Sequence, residues 1–513
     1  MTIPAADRTP GRWSTGWRAG LVAVALGALA AAGQAPLGLG GVTLVALAGF
    51  GWWLACGQGA RRGAGLAWAV GLGHFAASLF WIVEPFFVDP IRHGWLAPFA
   101  LILLPGGLAL FWAAAGAVAG AVGGSRGVLV WPVALGLAEL ARGHVLTGFP
   151  WAQAGHVWVD TPVAQLAAII GASGLTAATL LLAALPVLGQ VWRGQAGAVA
   201  GAALAGLVLV AGWGWGAARL AGPLPDGPGV QLRLVQPNAP QHLKWQRDLI
   251  PVWFERHLDL TAAPPAEGTP PPDLVIWSET AIPWLLEDAA IAFEMIAEAA
   301  QGATVALGLN RLEGWEPRNA LAVIDAEGTV IAVYDKHHLV PFGEYIPFSD
   351  LIAGTPLGGL ASRMLSGFTP GPGPVLLDLG PLGRPAPMIC YETIFPRHLA
   401  RLPDRPDWVL QVTNDAWFGA IAGPYQHLAQ ARLRAVEFGL PVVRAANTGV
   451  SAVIDARGQV VAGLALNTAG ALDAALPGTL PPTPFARIGE GPLAVLLAAL
   501  LALLLAPALR RRA

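Results

Sequence analysis

The chain has 513 residues, a mean hydropathy of +0.57, 55% hydrophobic and 12% charged residues, and a formal net charge of −2. That composition excludes an ordinary soluble globular protein, and the near-zero charge without a basic stripe excludes a nucleic-acid-binding surface. The length admits more than one domain, and 21 Trp against 4 Tyr suits a membrane protein, because indole favours the bilayer interface.

A bilayer core takes about 20 apolar residues per helix. Candidate spans lie at 17–33, 36–57, 64–88, 94–122, 127–141, 163–191, 196–217 and 491–509. The first two, parted only around Gln34, Ala35 and Pro36, read as a tight helical hairpin, and abundant Gly and Ala permit close helix packing. Arginine placement sets the orientation. Arg8, Arg12, Arg18, Arg61, Arg62, Arg126, Arg193 and Arg510, Arg511 and Arg512 all fall on one side if eight spans exist, and that side is the cytoplasm. The expected division is a membrane part (1–220), an extracytoplasmic domain (221–486) and a last helix with an Arg-rich tail (487–513). Both termini are then cytoplasmic in a bacterial inner membrane, with the first helix kept as an anchor rather than a cleaved signal. Glu84 and Asp89 read as interfacial, and Glu139 and Arg142, spaced i, i+3, as a pair on one helix face. His74 and His144 also lie in or beside the spans. The segment 147–160, with Trp151 and Trp158, reads as an outer-surface loop facing the large domain.

Pro223, Pro225 and Pro228 mark a linker, after which strands and helices alternate. Strands are expected at 230–235, 273–277, 304–309, 408–412 and 441–445, with another ending over 388–390. Helices are expected at 245–262, 286–300, 396–401 and 425–438. Such alternation predicts an α/β domain whose sheets are covered by helices. Segments 322–330 and 452–460 resemble each other, each an alternating apolar run around an Asp/Gly turn, and predict two hairpins at equivalent places. The stretch 339–374 is long and rich in Gly and Pro. With Phe342, Ile346, Phe348, Leu351, Ile352, Leu357, Leu360 and Phe368 it reads as an apolar lid that touches lipid and admits an acyl chain.

Of the two cysteines, Cys56 lies in a hydrophobic run and Cys390 closes a strand, so a disulfide between them is not expected. Local sequence leaves Cys390 either a small core thiol or a nucleophile presented at a strand end. A thiol nucleophile needs a base, an orienting partner and a stabiliser for the oxyanion. Glu279 in Trp277-Ser278-Glu279-Thr280, Lys336 in Tyr334-Asp335-Lys336-His337-His338 and Glu344 in Pro341-Phe342-Gly343-Glu344-Tyr345 supply such groups after strands or on loops.

In this order the Glu, Lys and Cys resemble the nitrilase superfamily over residues 229–468, and with the flanking spans the whole chain resembles the apolipoprotein N-acyltransferase family. The resemblance implies a nitrilase-like α-β-β-α sandwich inserted between the seventh and eighth of eight membrane helices. It implies Glu279 as general base, Lys336 as oxyanion stabiliser and Cys390 as nucleophile, with Glu344, Tyr391, Glu392 and Trp245 in support. It also implies a phospholipid acyl donor, phosphatidylethanolamine in particular, and a diacylglyceryl apolipoprotein acceptor. Transfer would be ping-pong through a thioester. No metal or cofactor is expected. His337 and His338 are adjacent, a poor spacing for joint ligation, and no Gly-rich nucleotide loop follows a strand. A monomer is expected. The rival readings are a membrane-anchored carbon–nitrogen hydrolase, either amidase or nitrilase, acting on a small or lipid amide, and a transporter or structural protein whose outer domain only binds.

Overall fold

The computed structural model describes residues 16–56, 59–265, 267–347 and 367–509. Arg8, Arg12, Arg510, Arg511 and Arg512, and Phe348, Leu351, Ile352, Leu357 and Leu360 of the expected lid, lie outside the described residues. The chain divides into two compact units, Met1–Gly222 with Arg487–Ala513, and Pro223–Ala486.

The first unit is helical. Its main helices are Trp17–Ala30, Gly40–Ala55, Gly59–Ser78, Ala97–Val122, Gly124–Arg142, Ala167–Ala221 and Gly491–Leu509. Ala167–Ala221 contains a break at Arg193 and Gly194, where the backbone leaves helical φ/ψ. Among the described residues, Pro90–Val122 and Pro162–Ala221 are long and apolar enough to cross a bilayer, and Gly59–Ser78 with Phe80–Phe87, bent by 49°, adds a third if counted together. Trp17–Gly33, Gly40–Ala55 and Gly491–Pro507 are shorter apolar helices. Small residues set the packing distance. A Cβ on Gly63 would stand 2.3 Å from the Gly116 carbonyl oxygen, so these two helices can touch only backbone to backbone.

Several buried polar groups in this unit find partners within it, as a low-dielectric interior favours. Glu139 accepts from Trp112 Nε1 at 2.8 Å and from Arg142 Nε at 3.1 Å, so the expected i, i+3 pair forms. The same contacts correct the surface reading of 147–160. Trp151 and Trp158 are buried. Arg142 donates to the Phe149 carbonyl, His74 Nε2 lies 2.8 Å from the Ala152 carbonyl, and Trp158 Nε1 donates to Thr179 Oγ1 at 2.8 Å. These bonds fasten the loop inside the helical unit, so its indoles fill space between helices instead of facing out.

The second unit is a four-layer sandwich. One sheet has strands β1 (Gln231–Gln236), β2 (Leu274–Trp277), β3 (Thr304–Glu313), β4 (Glu316–Ile324), β5 (Val330–Asp335) and β11 (Gly470–Ala475), in the order β11-β1-β2-β3-β4-β5. The other has β6 (Pro385–Ile389), β7 (Trp408–Thr413), β8 (Val442–Ala446), β9 (Ser451–Ile454) and β10 (Val460–Leu464), in the order β10-β9-β8-β7-β6. In each sheet three parallel strands are followed by an antiparallel hairpin, β4–β5 or β9–β10. The two similar segments of the sequence therefore occupy equivalent hairpins.

Period-2 alternation builds the layers. Leu232, Leu234, Leu274 and Ile276 join Ile389, Leu410, Val412 and Val443 in a core between the sheets. Val275, Trp277, Val305 and Leu307 turn outward onto helices Ile250–Ala262 and Ala290–Ala300. On the other face Val409, Val442 and Ala452 pack with helix Gly423–Phe438, including Ala431 and Ala435. Parallel strands place their following loops at one end, and those loops carry the site.

Candidate active site

Glu279 follows β2, Lys336 follows β5 and Cys390 follows β6, so the first two come from one sheet and the thiol from the other. Lys336 is almost fully enclosed. Its Nζ donates to Glu344 Oε1 at 2.8 Å and to Glu279 Oε1 at 3.3 Å. Burial opposes the charge on Lys336, but Glu344 and Glu279 outweigh it and raise its pKa above the ordinary lysine range. Glu279 is held from the opposite sheet as well, because its Oε2 accepts the Asn414 N–H at 2.9 Å just beyond β7. Glu344 Oε2 accepts the Val340 N–H at 2.8 Å, which fastens the start of 339–374 to the lysine.

Cys390 has φ +51°, a left-handed conformation that a non-glycine residue adopts only when its surroundings hold it there. The strand ends at Ile389, and the turn Cys390–Ile394 swings the thiol off the strand axis. Burial and then the charge of Glu279 push the thiol pKa up, partly offset by Lys336. The resting group is therefore a protonated thiol beside a carboxylate and an ammonium, an arrangement suited to proton removal in step with attack. Neither cysteine is in a disulfide.

Glu392 is fully buried and works on the scaffold. Its carboxylate accepts the N–H groups of Ile389 (2.8 Å), His337 (2.9 Å) and His338 (3.1 Å) and the Tyr334 hydroxyl (2.8 Å). One carboxylate thus ties the turn that presents Cys390 to the loop that follows Lys336. Tyr391 is buried, its ring edge-on to those of His338 and Phe395. Trp245 is exposed, and its indole meets the Lys244 ammonium 5.1 Å from the ring centroid. His337 and His338 pack with His398 around Glu392. Among the described residues no group of three or more His, Cys, Asp or Glu is arranged to hold a metal ion.

Two family models match the chain. One, described as carbon-nitrogen hydrolase, covers residues 230–484, and the other, the apolipoprotein N-acyltransferase N-terminal domain, covers residues 26–185. The curated apolipoprotein N-acyltransferase of Bradyrhizobium diazoefficiens is 40% identical over 526 residues, spanning 97% of this chain and 96% of the relative. The chain belongs to the apolipoprotein N-acyltransferase family. The relative from Rhodopseudomonas palustris is 39% identical over 521 residues, again 97% of this chain and 96% of its own. An amidase from Nesterenkonia sp. AN1 is 20% identical, with a TM-score of 0.35, over 53% of this chain and 98% of the amidase.

In this member of the apolipoprotein N-acyltransferase family, several residues at the site had no sequence signal of their own. Asn319 on β4 bridges the two carboxylates, its Nδ2 donating to Glu279 Oε1 at 2.8 Å and to Glu344 Oε1 at 3.1 Å. Its carbonyl accepts the Lys336 N–H at 2.9 Å. Behind Cys390, His427 Nε2 lies 3.1 Å from the Cys390 carbonyl oxygen and its Nδ1 lies 2.9 Å from Asp415, which also pairs with Arg444. Burial favours a neutral Asp415 acid, but Arg444 and His427 overcome it and hold the carboxyl down to about 2. A second lysine, Lys244, stands behind Glu279 and donates to its main-chain oxygen at 3.3 Å.

Proposed function

We propose that the chain carries out the reaction its family is named for, in the last step of bacterial lipoprotein maturation. A fatty acyl group passes from a membrane phospholipid, phosphatidylethanolamine in particular, to the N-terminal amine of an S-diacylglyceryl-cysteine apolipoprotein. The observation that carries this reading is the convergence of Glu279 and Lys336 with the strained turn of Cys390. The thiol proton moves to Glu279 as sulfur attacks the ester carbonyl. Lys336 faces the developing oxyanion, with a backbone N–H near Tyr391 as a second donor. The ester C–O bond breaks, Glu279 returns the proton to the departing lysophospholipid alkoxide, and a thioester remains on Cys390. A neutral amine then attacks that thioester while Glu279 takes its proton. The C–S bond breaks, the proton goes to the thiolate, and the product is an amide.

The same reading places eight spans in the inner membrane, with the helix Ala167–Ala221 counted as two across its break. The sandwich then stands between the seventh and eighth spans on the extracytoplasmic face, with both termini cytoplasmic, and the protein acts as a monomer. Mass spectrometry of the full chain after incubation with phosphatidylethanolamine in micelles tests the first half-reaction. A fatty-acyl adduct on Cys390, removed by hydroxylamine and lost in Cys390→Ser, is expected. Product formation with no such adduct would sink the covalent route, and release of free acid without amide would favour a hydrolase.

A further inference from the structure

Lys244 lies in the short turn between β1 and helix Ile250–Ala262, where its N–H closes onto the Pro240 carbonyl at 2.9 Å. It is only 4% exposed. Taking an ammonium out of water costs several kcal/mol unless an opposite charge and hydrogen bonds compensate, and methionine would fill the same volume without that cost. The compensation comes from the base. Lys244 Nζ donates to the Glu279 carbonyl oxygen at 3.3 Å, while the indole of Trp245 covers another side of the ammonium.

The segment it grips has no slack. Thr280 has φ +49°, the Gly308 N–H donates to the Ser278 carbonyl at 3.2 Å, and Ala281 N–H donates to the Gly308 carbonyl at 2.7 Å. Glu279 is therefore held at both ends, its carboxylate by Lys336 and Asn319 and its carbonyl by Lys244. Charge balance gives the second argument. Two carboxylates, Glu279 and Glu344, face Lys336, and Lys244 supplies the second cation. Once Glu279 has taken the thiol proton, the negative charge developing from sulfur onto the oxyanion and that of Glu344 are again matched by two lysines.

We infer that Lys244 is a positioning residue for the acyl-transfer reaction, clamping the main chain of Glu279 and supplying the second cation that balances the site as the Cys390 thiol gives up its proton. The inference rests on Glu279 being the general base. The groups that face Lys244 are Glu279 after β2 and, on the neighbouring helix, His257, which burial holds neutral with its pKa lowered to about 3. Burial lowers the Lys244 pKa to about 8, against the opposing pull of Glu279. The clamp is charged below that pH and lost above it.

The test is the single-turnover rate of Cys390 acylation by phosphatidylethanolamine in micelles, measured on the full chain from pH 6 to 10. Wild type is compared with Lys244→Arg and Lys244→Met, and thermal melting of each reports folding. Loss of the clamp in Lys244→Met is expected to slow acylation roughly 100-fold, the scale of a displaced general base. Wild type is expected to lose rate above about pH 8, while Lys244→Arg, which stays charged, carries that alkaline limb upward. A Lys244→Met protein with the wild-type rate, or a Lys244→Arg protein with the wild-type limb, overturns the inference. If Lys244→Met fails to fold, the arginine variant decides alone. Absence of any acylation in wild type would instead defeat the assignment of Cys390 and Glu279.

Discussion

Replacing Glu392 by glutamine should damage the second unit more than removal of one charge suggests. Burial alone would raise the pKa of this carboxyl, but the hydrogen bond and charge of His337 and the Ile389 N–H reverse that and bring it to about 2, against an ordinary 4.5. A folded value near 2 in a fully enclosed group corresponds to roughly 3 kcal/mol of stabilisation in the ionised state. The folded-state value is depressed, so this stabilisation is complete above about pH 4.5 and disappears as pH falls through about 2. Counting hydrogen bonds gives a similar figure. Glutamine keeps one acceptor oxygen but turns an NH2 group towards donors such as the Ile389 N–H, and an unmet buried donor costs about 1–3 kcal/mol. For a unit of this size, about 3 kcal/mol lowers the melting temperature by roughly 6–10 °C. Thermal melting of the full chain in detergent, followed by tryptophan fluorescence from pH 2 to 8, measures it. Wild type should lose its advantage over Glu392→Gln as the pH falls below about 4.5. Equal melting of the two proteins at pH 7 would refute the reasoning.

Three further outcomes follow from the geometry. In Gly308→Ala the new Cβ would stand 2.6 Å from both Glu279 Cα and Thr280 N, so Glu279 must move. A cost of about 1–3 kcal/mol and a loss of roughly 100-fold in Cys390 acylation are expected, read by melting and single-turnover kinetics. His427→Leu removes the group facing the Cys390 carbonyl and leaves Asp415 paired with Arg444. Destabilisation of about 2 kcal/mol and slower alkylation of Cys390 by iodoacetamide should result. Phe342 is 73% exposed, with φ +62°, two residues before Glu344. Phe342→Ser should weaken use of a vesicle-embedded phospholipid while leaving a short-chain soluble ester unaffected, which kcat/KM for the two donors decides.

The strands buried on both faces were legible in the sequence as short, nearly continuous apolar runs. Segments 274–277 and 304–309 sort their side chains onto the two faces of one sheet as their pattern requires. The two Asp/Gly hairpins were legible as well, because each turn needs a glycine of positive φ, Gly328 at +81° and Gly458 at +76°. β11 was not, since Gly470–Ala475 has no β-branched residue and owes its form to pairing with β1, where Arg233 takes Asp473 at 2.7 Å. The start of β4, Glu316 to Asn319, carries three polar residues and no apolar run, so nothing in the sequence marks Asn319. Lys244 and His427 could not be recognised because their meaning lies in contacts made across the fold rather than in neighbours along the chain. Trp151 and Trp158 misled for the opposite reason. An indole suits a bilayer interface and a gap between helices equally well, and only the partners of the loop decide between them.

The pairing of β1 with β11 has a mechanical meaning. Gln231 opposes Ala475 and Gln236 opposes Gly470, so the start of β1 and the end of β11 lie at the same end of one antiparallel ladder. Tension applied through both tethers would load this ladder one rung at a time, like a zipper, rather than shear all of its bonds together. Beyond the ladder the chain is still tied down, by Leu476 N–H to the Val230 carbonyl at 2.9 Å, Leu480 N–H to the Gly439 carbonyl at 3.0 Å and buried Phe485, so these ties part before the rungs at Gln231 and Ala475. Pulling on the two tethers should therefore peel the outer strand while Glu279, Lys336 and Cys390 are still held together.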